Sequence, residues 1–285
     1  MPFTDLEGPL LGLTRSEAVL TRTRSFGAAG SVLCHGVMAL QGEAVFISPG
    51  EGSPPPRFLG SSEATTCCIV FIRAPDGSRA VCAHLDCPES VAPFVAACEA
   101  AGMWGLGAAA LLEVDLVGST SGWKESVHLV AAVLTGLHGA PAPLQLRIAA
   151  VLDENVAPDV ARDAPRRPPL HSGAALDIAT GELRPARFAS AGPDELPRRA
   201  RCFVQGGPMC RVAYAGGAWA PVPVPGGSVP GSDALSWGMR RSALNRLAQM
   251  GDKELLQLTS TSPEAEDDGY VDRMREILGF ISQHM

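Results

Sequence analysis

The chain has 285 residues, of which 46% are hydrophobic and 19% charged, and a formal net charge of −7. That composition supports a substantial core and excludes a disordered, collagen-like or coiled-coil chain, while the acidic balance argues against a polyanion such as nucleic acid as the main ligand. Eight cysteines are too sparse for a disulfide scaffold. Asp5, Glu7, Arg15 and Glu17 interrupt any apolar leader, so the sequence reads as a cytoplasmic chain with its cysteines as thiols. One of the two longest uncharged runs, between Glu125 and Arg147, carries His128, His138, Pro141 and Pro143 and suits a buried helix and turn better than a membrane span.

In chain order, residues 1–40 show only a weak helical pattern and are expected to form a loosely packed arm. Residues 43–48 (EAVFIS) read as a short strand, and the Gly/Ser/Pro cluster at 49–56 reads as a surface loop. The β-rich runs 67–73 (CCIVFIR) and 78–85 (SRAVCAHL) flank Asp76-Gly77, whose tolerance of positive φ predicts a hairpin. Residues 110–117 alternate, with Leu112, Val114 and Leu116 on one face and Glu113 and Asp115 on the other, predicting a half-buried strand. A helix is expected over 124–137, a strand over 144–152, a loop over 153–169 and a second hairpin over 174–190 around Thr180-Gly181. A short helix over 194–203 and a Gly/Pro-rich loop over 216–232 follow. The last helix is placed over 263–284, with Ser262 as N-cap, Pro263 in the first turn and an apolar stripe of Val271, Met274, Ile277, Leu278 and Ile281. The whole reads as one α+β domain over 1–285, built on a mixed or mainly antiparallel sheet with packed helices.

The first hairpin places chemistry. If Asp76-Gly77 are its two turn residues, opposed residue numbers sum to 153, so Ile69 faces His84 and Cys67 faces Asp86. Directly opposed residues share a face, as do residues two apart, which puts Cys67, His84 and Asp86 on one side with Cys67 diagonal to His84. An imidazole beside a thiol can take its proton and create a nucleophilic thiolate. A one-residue slip would put Cys68 there instead. Two other roles compete for these side chains. They can be packing groups, since free cysteine behaves as a small hydrophobe, or Cys67, Cys82, His84 and Cys87 can be ligands of a structural metal, although no paired Cys-x-x-Cys is present.

Specific strings favour the nucleophile. Residues 59–67 (LGSSEATTC), followed by a β-run and Ala83-His84-Leu85-Asp86, resemble the active-site region of eukaryotic protein N-terminal asparagine amidohydrolases. Residues 112–118 (LEVDLVG), Gly206-Gly207-Pro208-Met209 and 260–265 (STSPEA) match in the same order, and the resemblance runs from about Gly42 to Gln283. The Met1-Pro2 start is also shared with animal members. The chain departs from them at Ser119, where they have a second glycine, and at Asp115, where a histidine is expected.

The resemblance implies a deamidase-like α+β fold and hydrolysis of the side-chain carboxamide of N-terminal asparagine, giving N-terminal aspartate and ammonia for the N-degron pathway. It makes Cys67 the nucleophile and His84 its acid–base partner. Ser61 becomes the third member by similarity to the Cys–His–Thr/Ser sites of bacterial glutamine deamidases, with Asp86 as the rival orienting group. Glu63 and Asp86 are candidates to sense the substrate's α-ammonium, and Thr66 with Gly206, Gly207, Pro208 and Met209 are candidate pocket residues. No metal or organic cofactor is expected. The expected partners are protein or peptide substrates rather than nucleic acid or membrane, and the expected state is a monomer. A non-catalytic binder of protein N-termini and a structural metal domain are the alternatives.

Overall fold

β-Branched and aromatic runs become the strands of two sheets. The computed structural model describes residues 12–48, 55–105, 111–156, 169–205, 209–215, 218–220, 234–260, 263, 266 and 268–284. Where the sequence reads as one domain, contacts divide the chain into two compact units, 1–193 with 207–220 and 194–206 with 221–285.

In the first unit, helix α1 (Glu17–Ala28) precedes β1 (Val32–Cys34), β2 (Val37–Met38), β3 (Glu43–Ser48), β4 (Phe58–Ser61), β5 (Cys68–Arg73) and β6 (Ala80–Leu85). Helix α2 (Val91–Ala100), β7 (Leu112–Gly118), α3 (Lys124–His138), β8 (Leu144–Ala150), β9 (Ala174–Asp177) and β10 (Leu183–Phe188) follow. Helix α4 (Glu195–Gln205) belongs to the second unit, and β11 (Cys210–Ala215) and β12 (Ala218–Trp219) return to the first. The larger sheet has the order β12-β11-β3-β6-β5-β7-β8 and the smaller β1-β10-β9-β4-β2. Each mixes parallel and antiparallel neighbours. In the larger, β11/β3 and β7/β8 run parallel while the three central pairings are antiparallel.

The hairpin register is the one its sequence predicts: Ile69 pairs with His84 and Cys68 with Leu85. The turn itself is longer than two residues. Ala74 N donates to the Arg79 carbonyl and Gly77 N to Ala74 O, with Gly77 at φ +72°, so Ala74–Arg79 closes the ladder around residues 75–78. Adding one residue on each side leaves the sum of paired numbers unchanged.

Even-numbered β5 residues and their odd-numbered β6 partners bury Cys68, Val70, Ile72, Val81, Ala83 and Leu85 under α2 and α3, against Phe94, Cys98, Leu129, Val130 and Val133. Helix α2 carries no signal in the sequence reading beyond a general apolar bias. The opposite face, with Ile69, Phe71, Cys82 and His84, meets β4 of the smaller sheet, close enough for a side-chain hydrogen bond between Ser61 and His84. The unit is therefore helix, sheet and sheet in three layers. Helix α1 is no loose arm: it buries Val19, Thr23 and Phe26, and Thr23 Oγ1 accepts the Ala149 N–H of edge strand β8 at 3.0 Å, covering that edge.

The second unit packs the terminal helix α7 (Tyr270–His284) against α4, α5 (Ala234–Ala248) and α6 (Asp252–Thr259). Ala200, Ile277 and Ile281 form one cluster, and Leu255, Met274 and Leu278 another. The terminal helix begins at Tyr270 rather than 263, although its apolar stripe is as expected. Ser262 and Glu264 lie outside the described residues. Arg275 ties the helices together by donating to the Ala248 and Met250 carbonyls at the end of α5 and to Asp252. Helix α5 lacks a clean apolar stripe and was not legible as a helix. Among the described residues no helix is long and apolar enough to cross a membrane.

One strand expectation fails. Asp115 is not on a wet face but 1% exposed, because β7 lies inside the larger sheet and both its faces are covered. Arg73 and Arg147 both pair with Glu113, and Arg147 Nε stands 3.9 Å from Asp115 Oδ1. Burial outweighs these arginines and pushes the Asp115 carboxyl up to about 6 from its ordinary 3.8. A raised carboxyl stabilises the fold in its protonated form, fully below the unfolded value, and the benefit is lost as pH rises through about 6. Asp115→Asn should therefore raise stability near neutral pH by on the order of 2 kcal/mol, and the gap should close below about pH 4 in melts run across pH. A gap independent of pH would contradict this account.

Candidate active site

His84 sits at the centre of β6, 3% exposed, with Ser61 of β4 fully buried above it. Ser61 Oγ is 2.8 Å from His84 Nδ1 and 2.6 Å from the Ala39 carbonyl. A hydroxyl has one proton to give. The short contact to a carbonyl, which can only accept, takes that proton, so Ser61 accepts from His84 and Nδ1 carries the ring hydrogen. Nε2 is then the bare, basic nitrogen, and it is buried without a hydrogen-bond partner among the described residues. Burial lowers the His84 pKa to about 4 against a smaller opposing pull from Asp86. The ring is thus neutral, in one tautomer, with its acceptor nitrogen uncommitted. Ala39 is itself held where it is needed, since its N–H donates to the Gly60 carbonyl of β4 at 2.7 Å.

Cys67 is 6% exposed and immediately precedes β5. With Cys68 opposite Leu85, it stands one place before the ladder, and continuing the register puts it diagonal to His84. Cys68 is settled by the same register. It faces the helix-covered core, and burial together with the adjacent Cys67 pushes its thiol far above the ordinary range, which makes it inert. The corner holding Cys67 is tightly built. Ser119 donates both its N–H and its hydroxyl to the Cys67 carbonyl, at 2.8 and 3.0 Å, and Ser126 Oγ donates to the Thr66 carbonyl at 3.1 Å. A Cβ on Gly118 would stand 2.6 Å from the Cys67 carbonyl oxygen, so only glycine allows β7 this close. Asn155, also fully buried, bonds the Gly118 and His171 carbonyls.

The remaining expected residues are placed as follows. Asp86 is exposed and accepts from Gln41 Nε2 at 3.3 Å, while Ser61 and not Asp86 bonds the His84 ring. Glu63 is exposed at φ +66°, four residues before Cys67. Thr66 is half-buried beside it. Met209 packs into the core on the helix side of the sheet, away from His84, and Gly206, Gly207 and Pro208 lie outside the described residues. Cys67, Cys82, His84 and Cys87 do not converge: among the described residues no group of three or more His, Cys, Asp or Glu could hold a metal ion. An open groove between α2 and α3, lined by Val91, Val95, His128 and Ala132, is on the opposite face of the sheet from His84. Ser126 and Asn155 carry no signal in the sequence, and Ser119 stands out there only as a departure from the family's pattern. The signal available for Ser119 was its place after Gly118, where a second glycine would be unremarkable and a serine is not.

A family model described as protein N-terminal asparagine amidohydrolase matches residues 34–285. Three similar proteins carry that same name. The one from Mus musculus is 27% identical over 253 residues, 85% of this chain and 73% of its own. That from Homo sapiens is 28% identical over 254 residues, covering 86% and 74%, and that from Sus scrofa is 27% identical over 246 residues, covering 86% and 73%.

The geometry makes a spectroscopic prediction. In ring-nitrogen NMR, His84 should stay in the Nδ1–H form through neutral pH and titrate near 4. Because its folded pKa is depressed, its contribution to stability is present above the unfolded value and is lost as pH falls through about 4. Ser61→Ala should mix the tautomers. A midpoint at the ordinary 6.5 would show that the ring is not buried as described.

Proposed function

Since the chain belongs to the protein N-terminal asparagine amidohydrolase family, we propose that it hydrolyses the side-chain carboxamide of N-terminal asparagine in proteins or peptides, with Cys67 as nucleophile. The observation that carries this reading is the bare Nε2 of His84, fixed by the bond between Ser61 and Nδ1 and placed diagonally from Cys67. A base must be within reach of the thiol and must not be protonated beforehand. Burial secures the second condition, and the diagonal register supports the first.

His84 Nε2 takes the Cys67 proton, and the thiolate attacks the carboxamide carbon. Backbone N–H groups, that of Cys67 among them, stabilise the oxyanion. Collapse breaks the C–N bond as the imidazolium returns its proton to the departing ammonia, leaving a thioester. His84 then draws a proton from water, hydroxide adds to the thioester carbon, and the released sulfur regains a proton as the new aspartate side chain leaves. Ser61 holds the ring in one tautomer throughout. It also supports the imidazolium, because its oxygen still accepts from Nδ1–H. No step in this sequence calls on a metal or an organic cofactor.

Selection of a chain terminus needs a carboxylate for the α-ammonium, and Glu63 and Asp86 are the proposed pair, both exposed within a few residues of the reacting groups. The new N-terminal aspartate would enter the N-degron pathway. The reading carries with it a monomer in a reducing, cytoplasmic setting, with peptide partners rather than nucleic acid or membrane.

Mass spectrometry of peptides beginning Asn, Gln or acetyl-Asn tests it. The Asn peptide should gain about one dalton and release ammonia, acetyl-Asn should not react, and Cys67→Ala should be inactive. Full turnover by Cys67→Ala would overturn the assignment, and binding of the Asn peptide without a mass change would favour a non-catalytic binder. Ser61→Ala should retain Cys67-dependent turnover with kcat lowered roughly tenfold to a hundredfold, as expected for a mispositioned base.

A further inference from the structure

Two carbonyls bracket the α-carbon of Cys67, and both are held from the same side. The Thr66 carbonyl receives the hydroxyl of Ser126 at 3.1 Å, and Ser119 Oγ stands 3.2 Å from it as an alternative donor. The Cys67 carbonyl receives Ser119 N–H at 2.8 Å and Ser119 Oγ at 3.0 Å. Ser119 follows the last residue of β7 and Ser126 lies in the first turn of α3, and both are fully buried. We infer that Ser119 and Ser126 are positioning residues that fix the two peptide planes flanking Cys67 and so aim its thiol and its N–H. This rests on Cys67 being the nucleophile.

In a trans peptide the C=O and N–H point in opposite directions. Anchoring the Thr66 carbonyl toward the junction of β7 and α3 therefore turns the Cys67 N–H, a proposed oxyanion donor, away from that junction. Anchoring the next carbonyl as well leaves neither peptide plane free to rotate, which sets the direction of the Cα–Cβ bond between them. Cys67 needs such help because it lies just outside the ladder, which begins at Cys68.

Ser119 also adopts φ +49°, in the left-handed region that favours glycine and that serine enters at a cost. Glycine there would keep the N–H and relieve the backbone. What serine adds is the hydroxyl, and that hydroxyl lies within bonding distance of both carbonyls. Ser126 in turn donates out of its helix to a loop 60 residues earlier in the chain, where a first-turn serine would ordinarily serve its own helix end.

The test separates positioning from folding. Ser119→Gly, Ser126→Ala, Ser126→Thr and Cys67→Ala are compared with the wild type on a peptide beginning with Asn, with rates expressed per mole of folded protein. Ser119→Gly should melt at or above the wild-type temperature yet lose roughly tenfold in kcat with KM within about twofold, the signature of a group needed for alignment and not for binding. Ser126→Ala should lose kcat in the same way, and Ser126→Thr, which keeps the hydroxyl, should restore most of it. Wild-type kcat in both Ser119→Gly and Ser126→Ala, with Cys67→Ala inactive, would overturn the inference alone. Losses that follow melting temperature and are not rescued by threonine would also overturn it. An active Cys67→Ala would instead overturn the assignment of the nucleophile on which it stands.

Discussion

Everything about the site depends on one hydroxyl proton. Ser61 stands between the Ala39 carbonyl and the His84 ring, and because the carbonyl can only accept, the direction of both hydrogen bonds follows. The imidazole is left with a hydrogen on Nδ1 and a lone pair on Nε2. This arrangement requires two sheets in face-to-face contact, since Ser61 belongs to the smaller and His84 to the larger. It also requires dryness. In water a histidine exchanges tautomers and titrates near neutrality, whereas under β4 it is neutral and singular.

The proposed nucleophile is organised by different means. Ser61 and His84 lie within regular strands, but Cys67 occupies the one-residue step before β5, where ladder hydrogen bonds no longer constrain the backbone. The constraint comes from outside, through the close approach of Gly118 and the hydrogen bonds of Ser119 and Ser126. Asn155 extends the brace by joining the end of β7 to the segment at His171, from which Ser172 receives the Ala64 N–H. Strain gathers in this region, with positive φ at Glu63, Ser119 and Leu152. Such conformations persist only where surrounding contacts over-determine them, which a dense set of buried hydrogen bonds does here.

β-Rich runs and turn chemistry were enough to read the strand at 43–48 and the hairpin that pairs Ile69 with His84. A symmetric change in loop length preserves the sum of paired numbers, so the register survived an incorrect turn. Other readings depended on facts outside their own segment. Asp115 alternates like a surface residue, and only the position of β7 inside a sheet covered on both faces buries it. Helix α1 looked loose because its few apolar residues suggest little burial, yet Thr23 seals a strand edge over a hundred residues away. The terminal helix starts at Tyr270 although a capping serine and a proline precede it, since local caps propose a start that tertiary contacts need not accept.

The amino-acid sequence by itself determined the thiol, the imidazole and their diagonal relation, because a hairpin is a local structure whose faces follow from counting residues. Only the tertiary structure decided which way the imidazole carries its proton, which side chains hold the carbonyls flanking the thiol, and that Cys68 is shut into the core. Those outcomes join residues 39, 61, 84, 119 and 126, which no periodicity relates. They arise where separate strands and a helix end are pressed together until each buried polar group has few partners to choose from.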